Sequence, residues 1–249
     1  MSGGKIIAFS GPPGCGKTVL SVRTAAELAG TGKRTVLISL DNTVPSVPLI
    51  FPRLGHGDLK SIGGFLMSLD VDSDSLLRSA ITVRNNPNLI FLGYMPGENI
   101  LTYPEFSPAR TVRLYESALS VADYVIVDTK SGFREDVLSD CAVSRADLRA
   151  DIYNPDIRTT AYYTSAAPLY PGGDEKKVIR VLNRNRNDVF FPEDEMREYM
   201  KKADAELPYS RELAKNLSEG TLVSCGGGPK FDRAIKKLVT RITTAEVSG

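Results

Sequence analysis

The segment from residue 11 to residue 18 constrains the fold more than any other part of the sequence. It reads Gly-Pro-Pro-Gly-Cys-Gly-Lys-Thr and fits the pattern GxxxxGK[ST], a glycine-rich loop that holds phosphate groups. An apolar run from Ile6 to Phe9 comes directly before it, and a helical pattern from Lys17 to Ala29 comes directly after it. Because a strand, this loop and a helix in that order form a phosphate-binding unit, the spacing predicts a fold as well as a ligand.

The rest of the chain alternates short apolar runs with longer amphipathic segments. The short runs are mostly rich in Ile, Val and Leu and end at turn residues, as strands buried on both faces do: Lys5 to Ser10, Thr35 to Leu40, Leu89 to Gly93, Tyr124 to Asp128, Leu148 to Tyr153 and Val178 to Asn183. Helical patterns cover Lys17 to Ala29, Ala109 to Ser120 and Phe231 to Ile242. The alternation predicts an α/β fold, a doubly wound, mostly parallel sheet with helices on both faces.

Three irregular stretches carry proline or glycine, and we interpret them as loops at the sheet edge rather than as linkers between domains. They are Asn42 to Gly57, Pro96 to Pro108 and Gly172 to Lys176. The 249 residues are then expected to form one domain, residues 1–249. The only histidine, His56, excludes a multi-histidine zinc site and is interpreted as a loop residue.

Charge and cysteine content exclude several classes of protein. The 31 basic and 30 acidic side chains give a net charge of +1, so there is no strong signal for nucleic-acid binding. The three cysteines lie far apart without a CxxC pair, which is typical of a reducing compartment. No apolar stretch approaches the roughly 18 residues that a membrane span needs. The sequence therefore predicts a cytoplasmic protein without a transmembrane segment.

The glycine-rich loop assigns a role to most of its residues. Backbone N–H groups at the start of a helix bind anionic oxygens, and here the donors are Gly14, Cys15, Gly16, Lys17, Thr18 and Val19, in the loop that Gly11 begins. We expect Lys17 to project from a solvent-facing helix N-terminus and bridge the outer phosphates, and Thr18 to ligate Mg²⁺. Pro12 and Pro13 have no N–H and stay outside the cradle. We interpret Cys15 as a variable position rather than a redox group.

A second acidic group is expected on the metal, at the end of an apolar strand. Asp128 ends the run that begins at Tyr124, and Gly132 follows it at the DxxxG spacing of a loop that senses the terminal phosphate. The alternative is that Asp128 only ends its strand by turn chemistry. Asp41 closes the run from Thr35, so its carboxylate is predicted at the same sheet edge, where it can orient the attacking water.

These residues resemble the MinD/ParA group of P-loop ATPases. The similarity extends to Ser39-Leu-Asp41, to the turn Asp128-Thr-Lys-Ser-Gly132, to Asn183 at the end of a strand and to Leu207-Pro208-Tyr209. The resemblance implies ATP and Mg²⁺ as ligands, Asn183 and Pro208 beside the base, and Asp41 as the residue that positions the hydrolytic water. It also implies a protein partner from a partition, pilus or secretion machinery, and allows a homodimer.

Two residues depart from the family pattern. Members with a deviant loop carry a second lysine that reaches across a dimer, and this sequence has Pro12 there. Ser39 replaces the first Asp of the strand motif. We therefore predict that nucleotide binding is kept, that hydrolysis is slow, and that Lys130 partly substitutes for the missing lysine. The subset without that lysine most resembles the TadZ/CpaE-type localisation factors.

The segment after Leu182 favours ATP over GTP. Guanine is read by an NKxD segment whose Asp accepts hydrogen bonds from the base, whereas Asn183-Arg-Asn-Arg186 puts a cation in that place. The alternative is that Asn183 only caps a turn.

Three classes of function stay open from the sequence. The first is a nucleotide-dependent positioning or assembly switch with weak ATPase activity. The second is an enzyme that uses ATP, either a small-molecule kinase or a metal-insertion ATPase; Arg53 is the only basic residue in the loop after Asp41, so a kinase lid is not evident. The third is a binding module with a degenerate site that does not hydrolyse nucleotide.

Overall fold

The computed structural model describes residues 3–51, 61–166, 169–170, 177–184, 186 and 202–244, and its strands form one sheet. The strands are β1 Lys5–Ser10, β2 Thr35–Ser39, β3 Ile81–Thr82, β4 Leu89–Gly93, β5 Tyr124–Asp128, β6 Leu148–Tyr153, β7 Val178–Asn183 and β8 Ala205–Leu207. Their spatial order is β3-β4-β2-β5-β1-β6-β7-β8, and all neighbours are parallel except β3 and β4. The predicted α/β fold with a mostly parallel sheet is confirmed.

Helices cover both faces of this sheet. In the described part of the chain they are α1 Lys17–Gly30, α2 Val47–Ile50, α3 Ile62–Met67, α4 Ser73–Ser79, α5 Pro108–Val121, α6 Val137–Arg145, α7 Ile157–Ala166, α8 Arg211–Ser218 and α9 Pro229–Thr244, with a 3₁₀ turn over Phe133–Glu135. One apolar core contains buried residues of α1 and α9 against one face, and a second contains those of α3 to α6 against the other. None of the described helices is long and apolar enough to cross a membrane.

The predicted strand bounds agree with the structure except in β2. That strand ends at Ser39, one residue earlier than predicted, although the Leu40 N–H still donates to the carbonyl oxygen of Asp128 in β5 at 3.1 Å. The predicted loop from Asn42 to Gly57 contains the short helix α2, and Pro108 is the first residue of α5 rather than the end of a loop. His56 and the predicted loop Gly172 to Lys176 lie outside the described residues.

The strand order places the functional candidates at one edge. The centre of the sheet is β2-β5-β1-β6, and the carboxyl ends of these parallel strands all point the same way. After β1 the chain continues to strands on one side of β1, first β2 and later β4 and β5. It then crosses to β6 on the other side of β1. Ligands of open α/β sheets bind at such a switch point, outside the carboxyl ends of the strands.

Candidate functional site

The loop that joins β1 to α1 needs glycine at three positions. Gly11, Gly14 and Gly16 have φ angles of 149°, 73° and 97°, a region that other residues rarely adopt. A Cβ on Gly11 would lie 2.4 Å from the carbonyl oxygen of Ile152, and one on Gly16 would lie 2.4 Å from Nδ2 of Asn183. The loop therefore packs closely against the ends of β6 and β7.

The start of α1 supplies backbone amides to the site. Lys17, Thr18 and Val19 form its first turn, where N–H groups have no partner inside the helix and the N-cap Gly16 has no side chain to cap them. The Lys17 N–H donates to the Cys15 sulfur. The Cys15 N–H instead donates to the carbonyl oxygen of Pro12 at 3.3 Å, so this one of the predicted donors is engaged. The anion-binding geometry therefore depends mainly on the helix N-terminus.

Cys15 has a structural role in the loop. Its side chain is fully buried in the core, and burial raises the pKa of the thiol, which disfavours the reactive thiolate. Its carbonyl oxygen accepts hydrogen bonds from Nδ2 of Asn183 at 2.8 Å and from Nδ2 of Asn154 at 3.3 Å. The residue thus links the loop to two strand ends.

Lys17 does not project into solvent, so that expectation was wrong. The residue is only 8% exposed. Its Nζ donates to the carbonyl oxygens of Gly11 at 3.0 Å and Pro12 at 3.1 Å, and to Oγ of Ser131 at 2.7 Å. Because an ammonium group is strongly hydrated, burial is tolerated only where its three N–H groups find acceptors, and here the loop and Ser131 provide them.

Asp128 and Thr18, the two predicted metal ligands, lie together. Asp128 is 2% exposed, and its carboxylate accepts hydrogen bonds from Thr18 and from Oγ of Ser39, the latter at 3.3 Å. Burial raises its pKa to about 6, while the Thr18 hydrogen bond and the charge of Lys17 act in the opposite direction.

This arrangement fits Mg²⁺ with a nucleotide. A buried carboxylate held by hydroxyl groups gains from a cation beside it. The described residues contain no group of three or more acidic, Cys or His side chains that could hold a metal by itself. Mg²⁺ commonly takes one or two carboxylates together with phosphate oxygens, so one carboxylate and one hydroxyl suffice only when phosphate is present.

Asp41 lies two residues beyond β2, near Asp128. Its Oδ1 accepts hydrogen bonds from the backbone N–H groups of Thr43 at 2.8 Å and Val44 at 2.9 Å, which makes it the first residue of a tight turn. Its charge contributes to raising the pKa of Asp128, as expected for a neighbouring carboxylate. The turn uses Oδ1 of Asp41, and no hydrogen bond to its Oδ2 is found among the described residues.

A pocket of about 110 Å³ lies beside the loop, where the resemblance puts the base. Gly16 and Val19 line one side, and the residues after β7 and β8 line the other, namely Asn183, Arg184, Pro208, Tyr209, Ser210, Leu213 and Ala214, with Leu217 and Phe231 completing the wall. The predicted residues Asn183 and Pro208 thus meet in one pocket next to the loop.

The Asn183 amide lines this pocket and also holds the loop. It is 5% exposed, and its Nδ2 donates one of its two N–H groups to the carbonyl oxygen of Cys15 at 2.8 Å. Among the described residues, nothing donates to its Oδ1. Asn183 therefore keeps this oxygen and one N–H group for a ligand.

Asn154 is a residue that the sequence interpretation missed. Its Nδ2 donates to the carbonyl oxygens of Asn183 at 2.7 Å and Cys15 at 3.3 Å, so one buried amide joins the ends of β6 and β7 to the loop. It follows β6 directly. The rule that selected Asp41 and Asp128, a polar residue at the carboxyl end of a buried strand, would have found it.

Lys130 and Ser131 lie in the turn after β5. Nζ of Lys130 donates to Oδ1 of Asn42 at 2.7 Å, and its backbone N–H donates to Oγ of Ser139 at 3.1 Å. The Lys130 ammonium is thus held beside the turn that Asp41 begins. Sequence reasoning selected Lys130, whereas Ser131, the partner of Lys17, was missed for lack of any signal beyond its place in the turn.

No family model matches the chain, and no curated protein sequence matches it. Solved structures share its fold. The septum site-determining protein MinD of Pyrococcus horikoshii, solved with Mg-ADP, has a TM-score of 0.75 at 18% identity, covering 98% of each chain. The MinC:MinD cell division protein complex of Aquifex aeolicus matches with a TM-score of 0.71 at 16% identity, covering 96% of each chain. A ParA family ATPase of Chlorobium tepidum matches with a TM-score of 0.75 at 16% identity, covering 95% of this chain and 98% of the ParA family chain. The fold is therefore that of MinD-like P-loop NTPases.

Proposed function

We propose that this chain binds ATP with Mg²⁺ at the loop of residues 11–18, hydrolyses it slowly, and acts as a nucleotide-dependent positioning or assembly factor of the MinD/ParA type. One observation carries the proposal. The amides at the start of α1 lie beside the pair of Thr18 and Asp128, at the carboxyl edge of the sheet. Amides, a lysine, a hydroxyl and one carboxylate are the groups that a magnesium nucleotide requires.

Each residue then has a role. The amides of Lys17, Thr18 and Val19 bind phosphate oxygens, and the Lys17 ammonium bridges the outer phosphates. Thr18 and Asp128 hold the metal, which when bound neutralises charge that develops on the phosphates. The oxygen of Asp41 that its turn leaves free orients the water that attacks the terminal phosphate.

The pocket that Asn183 and Pro208 line favours adenine as the base of the nucleotide. The Oδ1 of Asn183 can accept a hydrogen bond from the exocyclic amine of adenine. Arg186 stands where an NKxD segment would have its carboxylate. The missing carboxylate disfavours GTP because it leaves the N–H groups of guanine unpaired, at a cost of roughly 1–3 kcal/mol each.

The switch interpretation is favoured over the other two classes. A metal-insertion ATPase would use paired cysteines, and Cys15 is buried far in sequence from the partly exposed Cys141 and the exposed Cys225. A degenerate site would not need to keep a carboxyl group buried beside Thr18, as Asp128 is. As the Aquifex protein was solved with MinC, we propose that the partner here is a protein, a component of a partition, pilus or secretion machinery.

The loop also bears on the oligomeric state. Pro12 occupies the position of the lysine that crosses a nucleotide-bound dimer, so we propose the TadZ/CpaE-like branch, in which a homodimer does not depend on that lysine. The missing cation is the reason that we propose slow hydrolysis, since such a basic group contributes about 10³ to 10⁵ in rate.

Calorimetry with ATP and GTP, each with Mg²⁺, tests the proposal. We expect ATP to bind at least tenfold more tightly than GTP, in line with about 1.4 kcal/mol per tenfold. Lys17→Ala should abolish binding, and the control Lys237→Ala, an exposed lysine of α9, should not change it. GTP binding as tightly as ATP would contradict the base assignment, and unchanged binding in Lys17→Ala would contradict the site. ATP binding without turnover, with and without partner, would leave the non-hydrolysing module as the function.

A further inference from the structure

The Lys17 ammonium has all three of its N–H groups engaged by the protein. Two go to carbonyl oxygens of its own loop, and the shortest, at 2.7 Å, goes to Oγ of Ser131 in the turn after β5. Ser131 is 114 positions away along the chain. The lysine that would meet phosphate is thus bound to the turn that would sense it.

The turn containing Ser131 is anchored at several points. Oγ1 of Thr129 donates to the carbonyl oxygen of Phe9 at 2.7 Å, which fixes the start of the turn to β1. The hydroxyl of Tyr162, on α7, donates to the carbonyl oxygen of Ser131 at 2.8 Å. Ser131 therefore contacts the loop with its side chain and α7 with its backbone.

A phosphate group and Ser131 compete for the same ammonium. Lysine has three donors, and Lys17 has none left for a phosphate while Ser131 keeps its place. A charged phosphate oxygen is a stronger acceptor than a hydroxyl group, so phosphate wins the exchange. After loss of the Lys17 contact, the hydrogen bond from Tyr162 to the Ser131 carbonyl oxygen remains among those seen in the described part of the chain.

We propose that Ser131 occupies Lys17 when nucleotide is absent, and that nucleotide binding exchanges Ser131 for a phosphate oxygen and transmits this change to α7 through Tyr162. The inference rests on the proposed function, because it takes phosphate as the competing ligand. Ser131 and Tyr162 are then positioning residues. Ser131 lowers the affinity for nucleotide, and Tyr162 reports occupancy to α7.

Affinity for ATP and Mg²⁺, measured by calorimetry, tests the exchange. Ser131→Ala removes the competitor, so we expect binding about tenfold tighter than in the parent, the equivalent of one charge-assisted hydrogen bond. Ser131→Thr keeps the hydroxyl and should bind as the parent does. A purely structural role of Ser131 would weaken binding in Ser131→Ala, which is the opposite direction.

Amide hydrogen exchange of α7 tests the transmission. In the parent, ATP should change the exchange of residues 157–166, and in Tyr162→Phe this change should be lost. Tyr163→Phe is the matched control, because the Tyr163 hydroxyl donates to the carbonyl oxygen of Ile152, at 2.9 Å, rather than to the turn. An α7 response that is lost equally in both variants would overturn the role of Tyr162.

Failure of the proposed function and failure of the exchange give different binding results. If the parent does not bind ATP, the proposed function fails, and the exchange fails with it. If the parent binds ATP and Ser131→Ala binds it with equal or lower affinity, the exchange alone is overturned.

Discussion

Replacing Asp128 by asparagine should stabilise the protein in the absence of nucleotide, although it destroys the metal site. Burial raises the pKa of Asp128 from its ordinary value of 3.8 to about 6. The folded protein keeps this proton after the unfolded chain has lost it, so stability falls as the pH rises from about 4 to about 6 and stays lower above that. By linkage, the charged carboxylate costs about 3 kcal/mol at pH 8.

Urea unfolding in EDTA at pH 8 and pH 5 measures this cost. We expect Asp128→Asn to raise the free energy of unfolding by up to about 3 kcal/mol at pH 8, and by clearly less at pH 5, where the parent is largely protonated. In a chain of this size that corresponds to several degrees in Tm. Mg²⁺-dependent nucleotide binding should be lost in the same variant.

Asp123→Asn is the control, with the opposite sign. Asp123 pairs with Arg34 at 2.8 Å, and these hydrogen bonds lower its pKa, so its charge favours the folded state above the unfolded pKa. Both side chains are partly exposed, so the loss should be small. An Asp128→Asn variant that is less stable than the parent at pH 8, or equally changed at both pH values, would refute the reasoning.

Three further changes test individual contacts. If Lys130 supplies the cation that Pro12 cannot, Lys130→Ala should lower the rate of ATP hydrolysis at least tenfold in a single-turnover assay. The Kd for ATP should stay within about twofold of the parent value. Equal rates of hydrolysis in the two proteins would exclude that role. Asn154→Ala removes two hydrogen bonds that hold the loop, and it should cost about 2 kcal/mol in urea unfolding and weaken ATP binding; an unchanged Kd would show that the loop does not depend on it. Gly16→Ala puts an alanine where φ is 97° and places its Cβ 2.4 Å from Nδ2 of Asn183. We therefore expect the free energy of unfolding to fall by roughly 2 kcal/mol and ATP binding to be lost. Parental affinity for ATP in calorimetry would contradict the close packing.

Residues with a strong local signal could be predicted from the sequence. The central strands β1, β2 and β5 are mostly apolar runs buried on both faces, so burial in the core sets their pattern. Asp128 could be placed because it ends such a run, and Thr18 because its loop has a fixed spacing. That the two side chains meet follows from the parallel register of β1 and β5, in which Phe9 pairs with Asp128.

Short elements and side-chain contacts could not be predicted. α4 is only seven residues long, and its start is set by a capping box between Asp72 and Ser75 rather than by apolar periodicity. α7 contains several Thr and Tyr residues without a clear apolar stripe. The direction of the Lys17 side chain depends on acceptors 5, 6 and 114 positions away in the chain, and no local pattern encodes the last of these.

A buried polar cluster connects the start of the loop with the turn that holds Lys17. Ser10, the last residue of β1, donates to Asp151 of β6 at 2.7 Å, and Arg149 binds the same carboxylate at 2.8 and 3.0 Å. The hydroxyl of Tyr170 lies 3.3 Å from Oγ of Ser10 and 3.4 Å from the hydroxyl of Tyr162. A buried ion pair contributes little net stability because its desolvation offsets its attraction.

This cluster therefore serves to position side chains rather than to stabilise the fold. Tyr162 binds Ser131, and Ser131 binds Lys17, so the hydroxyl groups form a chain from the residue before Gly11 to the turn after β5. Apolar residues in place of Ser10 and of both members of the Arg149–Asp151 pair would pack the same strands without leaving a buried charge unpaired, but would remove the first members of that chain. Because the strands would still pair, such a change should preserve the sheet and weaken the connection between the loop and α7.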